Sequence, residues 1–144
     1  MFSCKEKDLS PDYIFSSKEA NPVPFGRYEL KTYNNSSAVP YAVVLEIKPE
    51  KDSSGRYLIN GKSVVNFYFS SAQIKSDDKT LQISEVASTK ISGHEAELKF
   101  EKDYYHRLAK VNSFKTQLNG TSLILYQNEN HGGQFMTFRL LENL

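Results

Sequence analysis

Short runs of alternating apolar and polar residues follow one another from residue 25 onward, separated by turn-forming Gly, Pro, Asn, Asp and Ser. Runs with this period of two, rich in β-branched and aromatic residues, are typical of β-strands. Eight or nine strands are predicted, at residues 28–33, 41–47, 56–59, 63–69, 72–74, 80–83, 114–118, 122–126 and 134–140. The chain is therefore expected to be mainly β, with antiparallel strands joined by short turns.

Two Asn-Gly pairs predict tight turns between these runs. Asn60-Gly61 is expected to form a type I′ hairpin turn, because both residue types tolerate a positive φ. Asn119-Gly120 predicts a second turn of this kind near the C-terminal end.

One segment has the period of a helix instead. Its apolar positions recur every three or four residues, at Phe100, Tyr104, Leu108 and Val111. A helix is predicted at about residues 94–111, with Ser92 and Glu95 as a capping box at its start. We expect it to pack on the sheet or to close one end of a barrel.

Composition and charge agree with one ordinary domain. The 144 residues include nine Phe and nine Tyr, enough aromatic side chains for one core. Residues 1–24 are polar and contain several prolines, so a flexible N-terminal arm is predicted ahead of a domain at residues 25–144. The 18 Lys and Arg against 17 Asp and Glu leave a net charge of +1, which argues against nucleic acid as a partner.

The only cysteine, Cys4, follows Phe2-Ser3, and this triplet resembles the end of a bacterial lipoprotein signal. The basic start and the apolar stretch of such a signal are missing. Two interpretations stand: the start is trimmed or misassigned and Cys4 is lipidated, or Cys4 is an ordinary thiol in a frayed terminus. In the first, the arm is a lipoprotein tether and the protein lies in the bacterial envelope, in the periplasm or at the outer membrane. In the second, it is cytoplasmic.

Residues that commonly form catalytic or metal sites do not occur in the required patterns. His94-Glu95 begins like the zinc-protease motif H-E-x-x-H, but Leu98 stands where the second His is required. Glu97 and Glu101 are assigned to a solvated helix face rather than to a pair of catalytic carboxylates. No catalytic residue, metal ion or cofactor is expected. A single Cys also excludes an internal disulfide framework.

Aromatic residues are more numerous than one sheet face can bury. Phe67 and Phe69 must point opposite to Tyr68, because side chains alternate along a strand. One set is therefore expected either to form an exposed binding surface or to be covered by the helix. The candidate partner-binding residues are Tyr33, Tyr41 and Tyr68 in strands, and Asn128, Asn130 and His131 in a polar hairpin loop.

The order of strands, helix and final hairpin resembles the META domain family, also called HslJ-like, over about residues 26–140. The residues that carry the resemblance are Asn66 after Gly61–Val65, the turn and strand Asp78–Ile83, the segment Ala87–Lys90 with Thr89, the helix residues Glu97, Phe100 and Leu108, then Asn119-Gly120, Gly133 and Phe138. The resemblance implies a lipocalin-like antiparallel barrel or half-barrel of about eight strands, in a protein of the small envelope lipoprotein type.

The chain departs from this family at its two usual cysteines. Val65 stands at the first position, and the second is replaced near Ser92-Gly93, so no thiol or disulfide role is expected here. The lipocalin-like comparison further predicts that Arg139 lies over Tyr28 as a cation–π contact. Tyr28, Arg139, Asn66 and Thr89 are therefore treated as structural residues.

These patterns predict a non-catalytic binding module of the cell envelope that acts as a monomer on an unidentified protein partner. A small peptidase inhibitor is the alternative, with the N-terminal arm or the hairpin loop entering the cleft of a secreted or envelope protease. Carriage of a small apolar ligand inside the barrel is less favoured, because the interior side chains are large. A membrane is expected as a partner only through a lipid anchor.

Overall fold

The structure is a computed structural model and describes residues 23–36 and 38–144. Cys4 and all but two residues of the predicted arm lie outside this part of the chain. The strands are β1 (Gly26–Tyr33), β2 (Val44–Lys51), β3 (Tyr57–Lys62), β4 (Phe67–Lys75), β5 (Thr80–Ile83), β6 (Ala87–Ser88), β7 (Ser113–Gln117), β8 (Ser122–Asn128) and β9 (Gly132–Glu142), and the helix α1 is Glu95–Ala109.

The strands form one antiparallel sheet whose order closes on itself. Eight of them follow in the order β3-β2-β1-β9-β8-β7-β5-β4, and β4 pairs with β3 to complete a ring. The pairing between β5 and β7 involves the fewest residues in the ring, with Thr80 opposite Ser113. The short β6 pairs with Tyr68 and Phe69 of β4, on the edge of β4 that β5 uses further along the strand. The predicted mainly β, antiparallel fold of about eight strands and one helix is confirmed.

The interior of the ring is filled by side chains from the strands and from the helix. The largest fully buried ones are Tyr28, Tyr68, Tyr104, Phe138, Leu30, Leu45, Ile47, Ile59, Leu81, Leu108, Leu123 and Leu125. Tyr104 and Leu108 come from α1, as the helical period predicts. No helix in the described residues is long and apolar enough to cross a membrane.

The start of α1 differs from the predicted capping box. His94 is the N-cap, and its main-chain N–H donates to the Glu97 carboxylate at 2.9 Å. The reciprocal positions are therefore His94 and Glu97 rather than Ser92 and Glu95. The expected first-turn stabilisation is kept, since Glu97 still satisfies an N–H that has no partner within the helix.

The turn predicted at Asn60-Gly61 is wrong, whereas Asn119-Gly120 is confirmed. Asn60 and Gly61 lie inside β3, and the hairpin turns at Ser63–Asn66, where the Ser63 N–H donates to the Asn66 carbonyl at 2.9 Å. A Cβ on residue 61 would collide with the ring of Tyr68 and with the Val44 carbonyl. This glycine thus serves close packing, while Asn119 and Gly120 adopt φ of 58° and 83° in a true turn.

The predicted cation–π pair of Arg139 and Tyr28 is wrong. Tyr28 lies in the core, and its hydroxyl donates to the Pro24 carbonyl at 2.9 Å. Arg139 pairs in register with Glu29, the next residue along β1, and donates to its carboxylate at 3.3 Å. Because neighbours on a strand point to opposite faces, Arg139 lies outside the ring and Tyr28 inside it.

Candidate functional site

Strand β4 presents two different faces within three residues. Tyr68 is completely buried, so its predicted place on a partner-binding surface is wrong. Its hydroxyl donates to the Val44 carbonyl at 2.8 Å and lies 2.7 Å from the Tyr104 hydroxyl, and burial raises its pKa well above the usual value. Phe67 and Phe69 point the other way, and each is 49% exposed.

Phe67 and Phe69, with Lys62, form what we call the aromatic face. Lys62 pairs in register with Phe67, and its Nζ lies 5.7 Å from the centre of that ring. Both rings line a shallow surface groove of about 410 Å³ that continues over Val44 and Glu46 of β2. An exposed pair of aromatic rings on a rigid strand is a common starting point for protein recognition.

Charges near the aromatic face are mostly paired. On the outer face of β1, Arg27 contacts the carboxylates of Glu46 and Glu142, each at 2.8 Å. Lys62 makes no ion pair with any residue that the structure describes. It therefore offers a free positive charge beside the two rings.

A buried carboxylate lies behind this face. Glu101 of α1 is only 3% exposed. One of its oxygens accepts hydrogen bonds from the Ser63 hydroxyl at 2.6 Å, from the Val65 N–H at 2.5 Å and from the Asn66 N–H at 2.6 Å. The other accepts from the Asn66 side-chain amide at 2.8 Å. The helix is thereby fixed to the β3–β4 turn, and the predicted solvent-exposed position of Glu101 is wrong.

The protonation state of Glu101 follows from these bonds. Burial alone would raise its pKa, but the donors on Ser63, Asn66 and Val65 outweigh burial and hold the pKa below its usual value. The carboxylate therefore stays charged, and four donors already occupy it.

Asn66 extends the same network to the segment that follows β6. Its side-chain oxygen accepts from the Thr89 hydroxyl at 2.8 Å and from the Ile91 N–H at 2.6 Å. The Thr89 hydroxyl in turn accepts from the Phe67 N–H at 3.1 Å. We call Ser63, Asn66, Thr89 and Glu101 the polar corner. It holds the base of the aromatic face, the 89–91 segment and α1 in one arrangement.

A second groove, which we call the edge groove, lies between residues 88–92 and helix α1. Its volume is about 440 Å³, and its lining includes Ile91 and Leu98, two of the exposed large apolar side chains of the described residues. Lys90 and Lys102 stand at its rim, and Asn66 and Glu101 of the polar corner line it from inside. The polar corner thus sets the distance between the two walls.

The two positions where the family resemblance implies cysteines come together at this corner. A Cβ placed on Gly93 would lie 3.6 Å from the Val65 Cβ and 2.8 Å from its Cγ2. Neither position carries a sulfur in this chain, and the Val65 side chain lies where a side chain on residue 93 would have to fit.

The helix packs against Tyr33 and Tyr41, which are only partly exposed. Their rings lie 5.9 Å and 4.9 Å from the ring of Phe100, and the Arg107 guanidinium lies 4.1 Å from the Tyr33 ring centre. Of the two arrangements expected from the sequence, an exposed surface or a covering helix, Tyr33 and Tyr41 show the second, because α1 packs over them. Phe67 and Phe69 form the uncovered set.

The hairpin-loop candidates lie at a separate place. Asn130 and His131 adopt φ of 59° and 62°, and the His131 ring stacks on Tyr126 at 4.9 Å. The Ser113 hydroxyl donates to the Asn128 carbonyl at 2.6 Å and accepts from the His131 N–H at 3.2 Å. The loop is braced, and Asn130 lines a polar groove of about 550 Å³ rather than the aromatic face.

Glu101 is the important residue that the sequence interpretation missed. A signal was present, because Glu101 precedes Tyr104 by three residues and Leu108 by seven, which places it on the buried side of the helix. Its charge argued for solvent, since a lone carboxylate is rarely buried.

Comparison with known proteins agrees with this fold. A sequence model of the META domain matches residues 23–139. An NMR structure of a protein from Burkholderia xenovorans is similar, with a TM-score of 0.64 and 16% identity over 94% of each chain. A second NMR structure has a TM-score of 0.53 and 15% identity over 82% of this chain and 91% of that chain. None of the curated proteins matches the sequence.

Proposed function

The chain belongs to the META domain family, and from that premise we propose that it is a non-catalytic binding module that docks a protein partner on the aromatic face. One observation carries the proposal: Phe67 and Phe69 are each 49% exposed, side by side on β4. Aromatic rings supply much of the binding energy at protein interfaces. The buried Tyr68 between them keeps the strand rigid, so little ordering is required on binding.

Charge defines the kind of partner. Lys62 lies beside Phe67 without an ion pair in the described residues, whereas Arg27 is already paired with two carboxylates. A partner surface with apolar side chains and a carboxylate opposite Lys62 fits best.

The state of Glu101 supports a role without catalysis. Four hydrogen bonds occupy its carboxylate, and a pKa below the usual value leaves it a weak base. Its hydrogen bonds in the polar corner account for its burial, so no catalytic role is needed to explain why it is buried.

Site-specific crosslinking tests the proposal. The photoreactive residue p-benzoylphenylalanine is placed at position 69 in cells that make the protein, and at position 118 as the control, since Leu118 is also exposed and apolar. We expect one discrete protein adduct at position 69 that is absent at 118 and that is suppressed by excess wild-type protein but not by Phe67→Ser/Phe69→Ser. Identical adducts at both positions would contradict the proposal.

Peptidase inhibition through the hairpin loop is the second candidate. The bracing of Asn128 and His131 by Ser113 favours it, because a preorganised loop loses little entropy on binding. Inhibition of a protease from the same source by the wild type, and its loss in Asn130→Gly, would support this candidate. If every protease of a panel keeps its full activity in the presence of the wild-type protein, this candidate is refuted. Binding of an apolar molecule inside the ring would displace packed residues such as Tyr28 and Phe138.

An envelope location remains part of the proposal and rests on Cys4. Incorporation of a labelled fatty acid into the wild type, and its loss in Cys4→Ser, would support lipidation. Lack of label in both would favour the ordinary-thiol interpretation.

A further inference from the structure

Strand β6 has one edge that no other strand of the described residues covers. Its partner on the other edge is β4, and beyond it the Thr89 N–H donates to the Phe67 carbonyl at 3.0 Å. Hydrogen-bonding direction alternates along an antiparallel strand, so the N–H and C=O of Ser88 point away from β4. Within the described residues, neither these groups nor the main-chain groups of Lys90 have a hydrogen-bond partner. Such an edge is a template for another strand.

The edge groove lies beside this free edge. Ser88 and Lys90 belong to one wall, and Leu98, Lys102 and Tyr105 of α1 form the other. At about 3.3 Å per residue, four residues of an extended peptide span about 13 Å. An open groove of about 440 Å³ between a strand edge and a helix suits such a peptide.

The walls also indicate the chemistry of the peptide. Ile91 and Leu98 are 50% and 37% exposed and supply apolar contact area. Lys90 and Lys102 make no ion pair in the described residues. The buried Glu101 carboxylate accepts its hydrogen bonds from donors of the polar corner and not from these lysines. A peptide with apolar residues and flanking carboxylates therefore fits better than a basic one.

We propose that the edge groove takes an extended, acidic segment of the partner protein, which adds as a strand to β6 between that strand and α1. The inference rests on the proposed binding function and adds the mode of binding and the character of the bound segment. Ala87 has a small side chain beside Phe69. A strand added here therefore brings the partner next to the aromatic face.

A synthetic peptide tests this directly. The probe is an acetylated, amidated hexapeptide of alternating valine and threonine with glutamate at both ends, titrated into isotope-labelled protein. We expect shifts of the Ser88 and Lys90 amide signals and slower hydrogen exchange of both. N-methylation of alternate peptide bonds should abolish binding, since it removes the donors that face β6.

Charge reversal supplies the matched variant. Lys90→Glu/Lys102→Glu should weaken binding of the glutamate peptide about tenfold and create binding of a lysine-ended peptide. Lys75→Glu, at an exposed position on β4 away from the groove, should change neither.

Three outcomes would overturn the inference. They are no binding at millimolar peptide, unchanged binding after N-methylation of every alternate bond, and protection of Ser88 that rises with protein concentration alone, which would make a second copy the occupant. If the peptide does not bind but the photoreactive residue at position 69 still gives its specific adduct, only the strand addition is refuted. If position 69 gives no specific adduct, the proposed function itself is refuted.

Discussion

Asn66 and Phe67 are neighbours in the chain, and they break the usual relation between polarity and burial in opposite directions. Asn66 is polar and 5% exposed, whereas Phe67 is apolar and 49% exposed. The first belongs to the polar corner and the second to the aromatic face. Buried polar groups and exposed apolar rings are both costly without compensation. The difference between these two regions lies in where the compensation comes from.

The polar corner is compensated inside the molecule. Glu101 and Asn66 accept hydrogen bonds from the N–H groups of Val65, Asn66 and Ile91, so these donors are satisfied within the molecule. On the aromatic face, both phenylalanine rings remain half exposed, and the Lys62 Nζ lies 5.7 Å from the centre of the Phe67 ring. Stability should therefore depend on the corner, and partner binding on the face.

The largest expected effect is the loss of the carboxylate at the corner. Glu101→Ala removes the acceptor of the Val65 and Asn66 N–H groups, and should lower the free energy of unfolding by about 3 to 5 kcal/mol. Urea denaturation measures this. Glu95→Ala, at an exposed acid of the same helix, should cost less than about 1 kcal/mol. Equal effects of the two changes would contradict the role of the corner.

A disulfide across the corner should have the next largest effect. A Cβ built on residue 93 would lie 3.6 Å from the Val65 Cβ, a separation that fits a disulfide. In a Cys4→Ser background, Val65→Cys/Gly93→Cys should oxidise readily and stabilise the fold by about 3 to 4 kcal/mol. The melting temperature should rise without reductant and fall with it. A pair that stays reduced would show that the corner is not rigid.

Acid should weaken the corner before it weakens the face. Because the folded pKa of Glu101 lies below its usual value, its contribution is complete above the unfolded pKa and declines as pH falls through the folded pKa. Denaturation midpoints of wild type should therefore fall in this acid range more steeply than those of Glu101→Gln. Parallel pH profiles would contradict this assignment.

Substitutions on the two faces of β4 should differ in their effect on the free energy of unfolding, by less than the changes above. Tyr68→Phe removes the hydrogen bonds to Val44 and Tyr104 and should cost about 1 to 2 kcal/mol of unfolding free energy. Phe67→Ser/Phe69→Ser changes exposed side chains and should stay within about 1 kcal/mol of wild type. A larger loss in the double variant would mean that the aromatic face serves folding.

Much of the fold could be predicted because it depends on local pattern. The strand at residues 80–83 and the turn at Asn119-Gly120 agree with the structure, as does the apolar side of the helix. These features require only alternation, the helical period and turn chemistry. The ring closure and the two-residue strand β6 depend on pairings that no local signal shows.

The site could be predicted only in part. Alternation put Tyr68 opposite Phe67 and Phe69, but which side faced the core depended on the glycine at position 61, whose missing Cβ makes room for the Tyr68 ring. Asn60-Gly61 looked like a turn because both residue types tolerate a positive φ, whereas the glycine is needed there for space. The burial of Glu101 depends on main-chain donors brought together by tertiary structure, which outweigh its intrinsic preference for water.

The most direct test of the central claim is a titration of the protein captured at position 69 against three purified variants with equal melting temperatures. Wild type and Leu118→Ser should bind it alike, and Phe67→Ser/Phe69→Ser should bind it at least about tenfold more weakly. Equal affinity in all three would contradict the claim that the aromatic face is where this domain meets its partner.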